Sequence, residues 1–238
     1  MSKFGPKKTT EKLFSIQLRK VARIVKGIID SHIIGGKVDE RSLTKALMSY
    51  SEILEPWAVD LSERMIRSIS TSNEKAFMAK SGTLTRSLFD IFTGPGVGEV
   101  AKKLHQDQVA LITSLPLEAA QKAQEIAQNS VINGIRAETS TKKILELGDI
   151  TINRATLIAR TETAKTNTAL TVARATAIGS KSFFWRTVGD ADVRAAHKAL
   201  DNKIFEYDNP PFVSVEEGHH LPGDIWNCRC YAEPIFLD

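Results

Sequence analysis

The sequence predicts a mainly α protein: an N-terminal helical region followed by a small C-terminal α+β module, built on one long helix and a two- or three-stranded antiparallel sheet. Three observations predict it. Apolar residues recur at helical spacing from Glu11 to Gly148, where nothing reads as a strand. Just after Gly179 the period falls from 3.6 to 2, in the aromatic and β-branched run Ser182-Phe183-Phe184-Trp185-Arg186-Thr187-Val188. Finally, 238 residues, 42% hydrophobic and 25% charged, are enough for one large or two small globular domains with a real core.

Taken in order, residues 1 to 10 are Lys-rich with Gly5-Pro6, the composition of a loosely held arm. From Glu11 to Asp30, Leu13, Phe14, Val21, Ile24, Val25, Ile28 and Ile29 share one half of a helical wheel. Lys12, Arg19, Arg23 and Lys26 gather on the other half. The expected stop is Gly35-Gly36. Asp39 is placed to cap a second helix through about Leu54, and Pro56 to open a third carrying Trp57, Leu61, Met65, Ile66 and Ile69. A short helix with Leu84, Leu88, Phe89 and Phe92 follows. Gly94-Pro95-Gly96-Val97-Gly98 lacks both the Lys-Ser/Thr of a phosphate loop and a preceding apolar strand, so it reads as a flexible turn.

Helical spacing resumes over Glu99–Ser114 and, after Leu115-Pro116, over Leu117–Ile135. A short helix capped by Ser140 or Thr141 and ending at Leu147-Gly148 comes next. A boundary there divides the chain into a helical region, 1–148, and an α+β module, 149–238. Asn153–Ile178 reads as the long helix, stopped by Gly179. Its stripe of Leu157, Ala164, Thr168, Val172 and Ala175 is mostly small and buries little area per residue, so it needs partners, from this chain or a neighbouring copy. Beyond the aromatic strand, Asp190 reads as the N-cap of a helix to about Leu200, Lys203-Ile204-Phe205 as a short strand, 209–211 and 217–220 as loop, and Tyr231–Phe236 as a strand that Pro234 restricts to an edge or an end.

Charge is unevenly spread. Residues 1–26 hold Lys3, Lys7, Lys8, Lys12, Arg19, Lys20, Arg23 and Lys26 against Glu11 alone, a local +7, while the rest of the chain carries −3. A basic front end suits a polyanion or another acidic surface; the same helix also reads simply as core-packed with a solvated basic face. A membrane-surface helix lacks aromatic anchors beyond Phe14. No apolar run approaches the ~20 residues of a membrane span, and the N-terminus has no signal-peptide core. The two cysteines are one residue apart, where a disulfide would be strained, so a reducing compartment is expected.

Chemistry concentrates at the end. Asp190, Arg194 and His197 are spaced four and three apart, which on a helix is one face. They read as a cap, an ion pair and a hydrogen-bonded histidine, or with His197 as a metal ligand or general base. His197, His219, His220, Cys228 and Cys230 all fall in the last 42 residues. A set of His197, His219 or His220, Cys228 and Cys230 has the count and chemistry of a tetrahedral zinc site, although Cys-x-Cys is tighter than the usual ligand spacing. His220 is the preferred fourth member. The rival reading has both cysteines as small apolar residues on one side of a strand. Arg160 and Glu162, two apart on the long helix, are each expected to pair in the tail, for example with Asp190 or Arg229. No nucleophile elbow or nucleotide fingerprint appears, and no enzyme is expected.

Three pieces in order carry a resemblance: Ala159-Arg160-Thr161-Glu162-Thr163-Ala164; Trp185-Arg186-Thr187-Val188-Gly189-Asp190 with Val193-Arg194-Ala195-Ala196-His197; and Leu221-Pro222-Gly223 leading to Asn227-Cys228-Arg229-Cys230. Together, over roughly residues 150–236, they resemble the Mu F-like head morphogenesis family of tailed phages, the minor head proteins. The family's Leu-Asp-Gly after the histidine stands here as Leu200-Asp201-Asn202, and Asn tolerates the same left-handed turn. The resemblance implies a virion protein of the capsid interior that associates with the portal and acts in head morphogenesis and DNA packaging or delivery. Double-stranded DNA, contacted non-specifically through Lys7, Lys8, Lys12, Arg19, Arg23 and Lys26, and further copies of the chain are the other expected partners. No membrane partner and no cofactor beyond zinc are expected. Two rivals are a metal-dependent nuclease or hydrolase using the His/Cys cluster, and a scaffold whose basic helix docks on an acidic portal surface.

Overall fold

The computed structural model describes residues 4–81 and 94–236. The helix expected around Leu84–Phe92 lies outside them. Among the described residues, five helices and seven short strands run in the order α1 (Lys8–Ser31), β1 (Ile33–Ile34), β2 (Lys37–Val38), α2 (Glu40–Ser81), α3 (Pro95–Ile132), α4 (Ala137–Ala177), β3 (Ser182–Arg186), α5 (Ala195–Leu200), β4 (Ile204–Glu206), β5 (Phe212–Ser214), β6 (Gly218–His219) and β7 (Tyr231–Pro234). The fold is mainly α with a C-terminal α+β module, as the sequence indicates.

By contacts the chain divides into two compact units, one of Met1–Lys12, Glu63–Gln106 and Arg160–Asp238, the other of Leu13–Ser62 and Asp107–Ala159. Each of the four long helices contributes to both. The boundary expected at 148/149 falls inside α4, because Gly148 continues the helix instead of ending it. A Cβ at Gly148 would come within 2.7 Å of the Lys26 side chain, so the glycine gives room for α1.

Two prolines also fail to break helices. Pro56 lies within α2, where the sequence suggests a join between two helices, and Pro116 lies within α3. An internal proline forfeits one backbone hydrogen bond, a cost of about 3 kcal/mol. Around Pro56 the exposed Glu52 and Ile53 leave the freed carbonyl to water, while Leu54, Ala58 and Leu61 keep one face buried on both sides. Near Pro116, Ser51 Oγ donates to the Thr113 carbonyl at 2.8 Å, in the turn the ring disturbs. Nor is Gly94–Gly98 a free turn: Pro95 starts α3, with Gly96 and Gly98 in its first turn.

In the Leu13–Ser62 and Asp107–Ala159 unit, the core joins Val25 and Ile29 of α1, Leu43 and Leu47 of α2, Ala119, Ala120 and Ala123 of α3, and Ile144 and Leu147 of α4. The Ser42 amide donates to Asp39 Oδ1 at 3.1 Å, the expected cap of α2. Gly35-Gly36 does not end α1. The helix stops at Ser31, and both glycines have positive φ, 58° and 76°, in the two-residue turn of the hairpin β1–β2. The N-terminal region is therefore not wholly helical. On α1, Phe14, Val21, Val25 and Ile29 are buried as expected, joined by Leu18 and Ala22, but Leu13 (64% exposed) and Ile24 (49%) face out.

The other unit centres on the second half of α4, buried nearly all round from Thr161 to Leu170. Ala164, Thr168 and Ala175 of the small-residue stripe are covered by this chain itself, and Leu157 and Val172 are half-buried. One buried polar network ties α4 to α2: Arg174, 1% exposed, donates to Asn73 Oδ1 and Ser70 Oγ, both at 2.7 Å, and Asn73 Nδ2 donates to Thr171 Oγ1 at 2.6 Å. The end of α4 closes with a Schellman motif. Ser180 N–H donates to the Ala175 carbonyl at 2.9 Å and Gly179 N–H to Thr176 at 3.0 Å, with Gly179 at φ 84°.

The first residues are not a loose arm from Phe4 onward. Phe4 packs edge-on to Phe77 with centroids 5.0 Å apart, and its carbonyl accepts Asn167 Nδ2 at 2.8 Å. The three-stranded antiparallel sheet has the order β4-β3-β7, which leaves β7 at an edge with Pro234 at its end. Phe183 and Trp185 point from β3 into a core with Val213, Cys228, Cys230 and Ala232. Of the two stretches read as loop, 217–220 contains the short strand β6, which pairs with β5 in a second hairpin.

Candidate metal centre

Three side chains converge between α5 and the approach to β7. His197, only 2% exposed although it is a histidine, points Nδ1 at both sulfurs, 3.4 Å from Cys228 Sγ and 3.5 Å from Cys230 Sγ. The ligating atoms of all three lie within 4.8 Å of one another, and both cysteines are buried free thiols. Trp185 closes one side, its ring edge-on to the imidazole at 5.7 Å. His197 Nε2 meets Glu217 Oε2 at 3.0 Å. That contact makes Nε2 the protonated nitrogen beside a carboxylate and leaves Nδ1 to face the sulfurs. The Cys230 amide donates to Cys228 Sγ at 3.4 Å.

The electrostatics follow from this crowding. Contact with the Cys230 thiol, helped against burial by His197, draws Cys228 down to about 4, into the thiolate range. Cys230 moves the other way, raised first by its contact with Cys228 and then by burial. Burial alone would lower His197, but hydrogen bonds to Cys228 and Glu217 outweigh it and raise its pKa. The donor set, two soft sulfurs and an imidazole, suits zinc.

The segment carrying the cysteines is held from α4. Thr168 Oγ1 donates to the Pro222 carbonyl at 2.5 Å, and the Asn227 amide donates to Thr161 Oγ1 at 2.9 Å. Gly223, at φ 89°, comes so close that a Cβ would lie 2.8 Å from the Cys230 carbonyl. Asn227 takes the left-handed conformation, φ 62°, and Asn202 does so in the turn after α5, φ 64°, as the Leu200-Asp201-Asn202 reading anticipates.

The polar residues singled out from sequence are rearranged. Asp190 does not cap α5, which starts only at Ala195. Its carboxylate instead accepts from both terminal nitrogens of Arg229, at 2.6 and 3.0 Å, a bidentate charge-assisted pair that outcompetes a cap. Asp192 also reaches Arg229, at 3.4 Å. Arg194 donates to the Trp226 carbonyl at 2.8 Å and to Glu217 Oε1 at 3.1 Å, so Glu217 bridges Arg194 and His197. Arg160 pairs with neither Asp190 nor Arg229. It reaches Asn227 Oδ1 at 2.8 Å and Glu11 at 3.4 Å. Glu162 is buried in α4. His220 is outside the cluster, half-buried and 3.5 Å from Asp224, because it ends the β5–β6 hairpin; His219 binds the Pro210 carbonyl. Sequence reasoning misses Glu217 and Asn227: Glu217 sits beside a His-rich stretch that stands out for its histidines alone, and Asn227 lies inside the motif itself.

Of the basic set, Lys7, Lys8, Lys12, Arg19 and Arg23 are exposed. Lys26 is tied to Asp149 at 2.7 Å. Among the described residues no helix is long and apolar enough to cross a membrane.

The motifs that build this centre lie in a stretch that matches a phage family model. Residues 121–233 match the family model described as Phage Mu protein F like protein, so the resemblance holds and this stretch is a Mu F-like segment. A protein of Haemophilus influenzae (strain ATCC 51907 / DSM 11121 / KW20 / Rd), described only as uncharacterized, is 34% identical over 141 residues, 59% of this chain. The match spans 30% of that relative's length. No solved structure gives a significant match.

Proposed function

We propose that the chain is a minor head protein of a tailed phage, resident in the capsid interior, associating with the portal and acting in head morphogenesis and in packaging or delivery of DNA. It does so without turnover, contacting double-stranded DNA non-specifically through α1. The observation that carries the DNA contact is the division of α1: Phe14, Leu18, Val21, Val25 and Ile29 are buried, while Lys8, Lys12, Arg19 and Arg23 stand exposed on the far side. Lysine and arginine rows of this kind bind phosphates without reading sequence. The Mu F-like segment supports the placement in a phage head.

Deleting the first 26 residues would remove Phe4, Phe14 and Leu18 from their cores, so charge substitution is the cleaner test. With Lys12, Arg19 and Arg23 all replaced by Gln, affinity for any duplex should fall at low salt. The dependence of log K on log salt should become shallower by roughly 0.9 for each phosphate that is no longer neutralised. Unchanged binding removes α1 as the DNA contact. Capture of the portal that disappears in the same variant, with no DNA affinity in the parent, would instead favour docking on an acidic portal surface.

A further inference from the structure

We propose that His197, Cys228 and Cys230 together hold one divalent metal ion of the zinc class, with solvent as the fourth ligand. The ion serves as a structural tie and not as a catalyst. This stands apart from the DNA and portal reading. The three ligands differ from the sequence expectation by leaving out His220.

The distances carry the argument. With zinc–sulfur bonds of ~2.3 Å and a zinc–nitrogen bond of ~2.0 Å, a tetrahedral ion separates nitrogen from sulfur by ~3.5 Å. His197 Nδ1 stands 3.4 and 3.5 Å from the two sulfurs. The surroundings match those of an occupied site. Glu217 accepts from His197 Nε2, the carboxylate–imidazole arrangement that fixes a ligating ring. The Cys230 amide points at Cys228 Sγ, where it offsets thiolate charge. Trp185 and the neighbouring core exclude bulk water on the other side.

The fourth position opens on a pocket of about 40 Å³ lined by Val188, Asp192, Arg194, Asn227 and Arg229 besides the three ligands. That volume admits a water or two. It admits no nucleotide or peptide, which is why an open coordination site here does not imply turnover. Both guanidinium groups that line it are already committed, Arg194 to Glu217 and Arg229 to Asp190. On binding, both sulfurs coordinate as thiolates and His197 through the neutral Nδ1, their protons passing to solvent. The bond then fastens α5 to the residues before β7, 31 positions apart.

The test is elemental analysis of protein purified without chelator or metal-affinity resin, with cobalt substitution alongside. About one zinc per chain is expected. Replacement by Co²⁺ should give strong visible d–d bands and near-ultraviolet sulfur-to-metal charge transfer, the signature of a tetrahedral thiolate site. His197→Gln, Cys228→Ser and Cys230→Ser should each lose the ion, while His220→Ala keeps it. Chelation should cost hydrogen-exchange protection in 182–234 and leave the α1–α2 core unchanged. The proposal fails if the full-length parent takes up neither zinc nor cobalt when titrated with each alone. It fails equally if the cobalt spectrum lacks charge transfer, or if His220→Ala loses the ion. The parent's own spectrum keeps the question decidable even where a cysteine variant misfolds.

Discussion

The core around Leu47 and the module around Trp185 are held in different ways. The first is nearly pure hydrocarbon: Val25, Ile29, Leu43, Leu47, Ile144 and Leu147 close over three alanines of α3, and the Lys26–Asp149 pair lies at its surface. The second has a smaller apolar centre, and its segments are fixed by polar ties: Arg229 to Asp190, Arg160 and Thr161 to Asn227, Thr168 to Pro222, Glu217 to Arg194 and His197. Short strands and irregular segments bury too little apolar area to hold themselves. Directional contacts supply position where area does not.

The largest expected effect tests whether the two differ at all. Trp185→Ala removes the biggest fully buried side chain of the module and should cost about 3–5 kcal/mol. Hydrogen exchange should then report weaker protection across 182–234 while amides of α1 between Phe14 and Ile29 stay protected. Leu47→Ala, costing about 2–5 kcal/mol, should give the mirror image. If either substitution strips both regions together, they unfold as one body and the contrast has no energetic meaning.

That contrast also explains how much of the fold is legible in sequence. The existence of α1, the cap at Asp39, the aromatic strand β3 and the stop at Gly179 can be read directly, since each rests on local period or turn chemistry. Helix continuity cannot. Pro56, Pro116 and Gly148 are local break signals, overridden because flanking residues on the same helix stay buried. At the site, residue type is enough to name His197, Cys228 and Cys230, but choosing among three histidines needs the β5–β6 hairpin, whose register, Phe212 opposite His219, carries His220 away. Asp190 shows the same limit. A carboxylate before a helical run reads as a cap, and only the tertiary fold reveals Arg229 beside it.

A middle-sized effect sharpens the role of those ties. Arg229→Met keeps the stem and removes the fork that grips Asp190 and Asp192. Arg229 is mostly buried and Asp190 partly exposed, so the loss should be about 1–2 kcal/mol. It should appear as faster exchange confined to 187–194, the segment that has no regular structure of its own. Unchanged exchange there would mean that the sheet and α5 position the loop unaided.

The smallest effect belongs to the helical core, and its smallness is the point. Lys26 and Asp149 meet at 2.7 Å, but the pair is solvent-exposed, where Coulomb gain and side-chain entropy nearly cancel. The Lys26 stem has a different role, since its Cγ lies where a Cβ on Gly148 would come to 2.7 Å. Lys26→Met preserves the stem and discards the charge, so the urea midpoint should not move. Gly148→Ala keeps the charge and forces the stem aside, so the midpoint should fall despite the better helix propensity of alanine. A reversed pair of outcomes would make this ion pair a tie of the kind that Arg229 supplies in the module, and the distinction between an area-held core and a contact-held one would no longer stand.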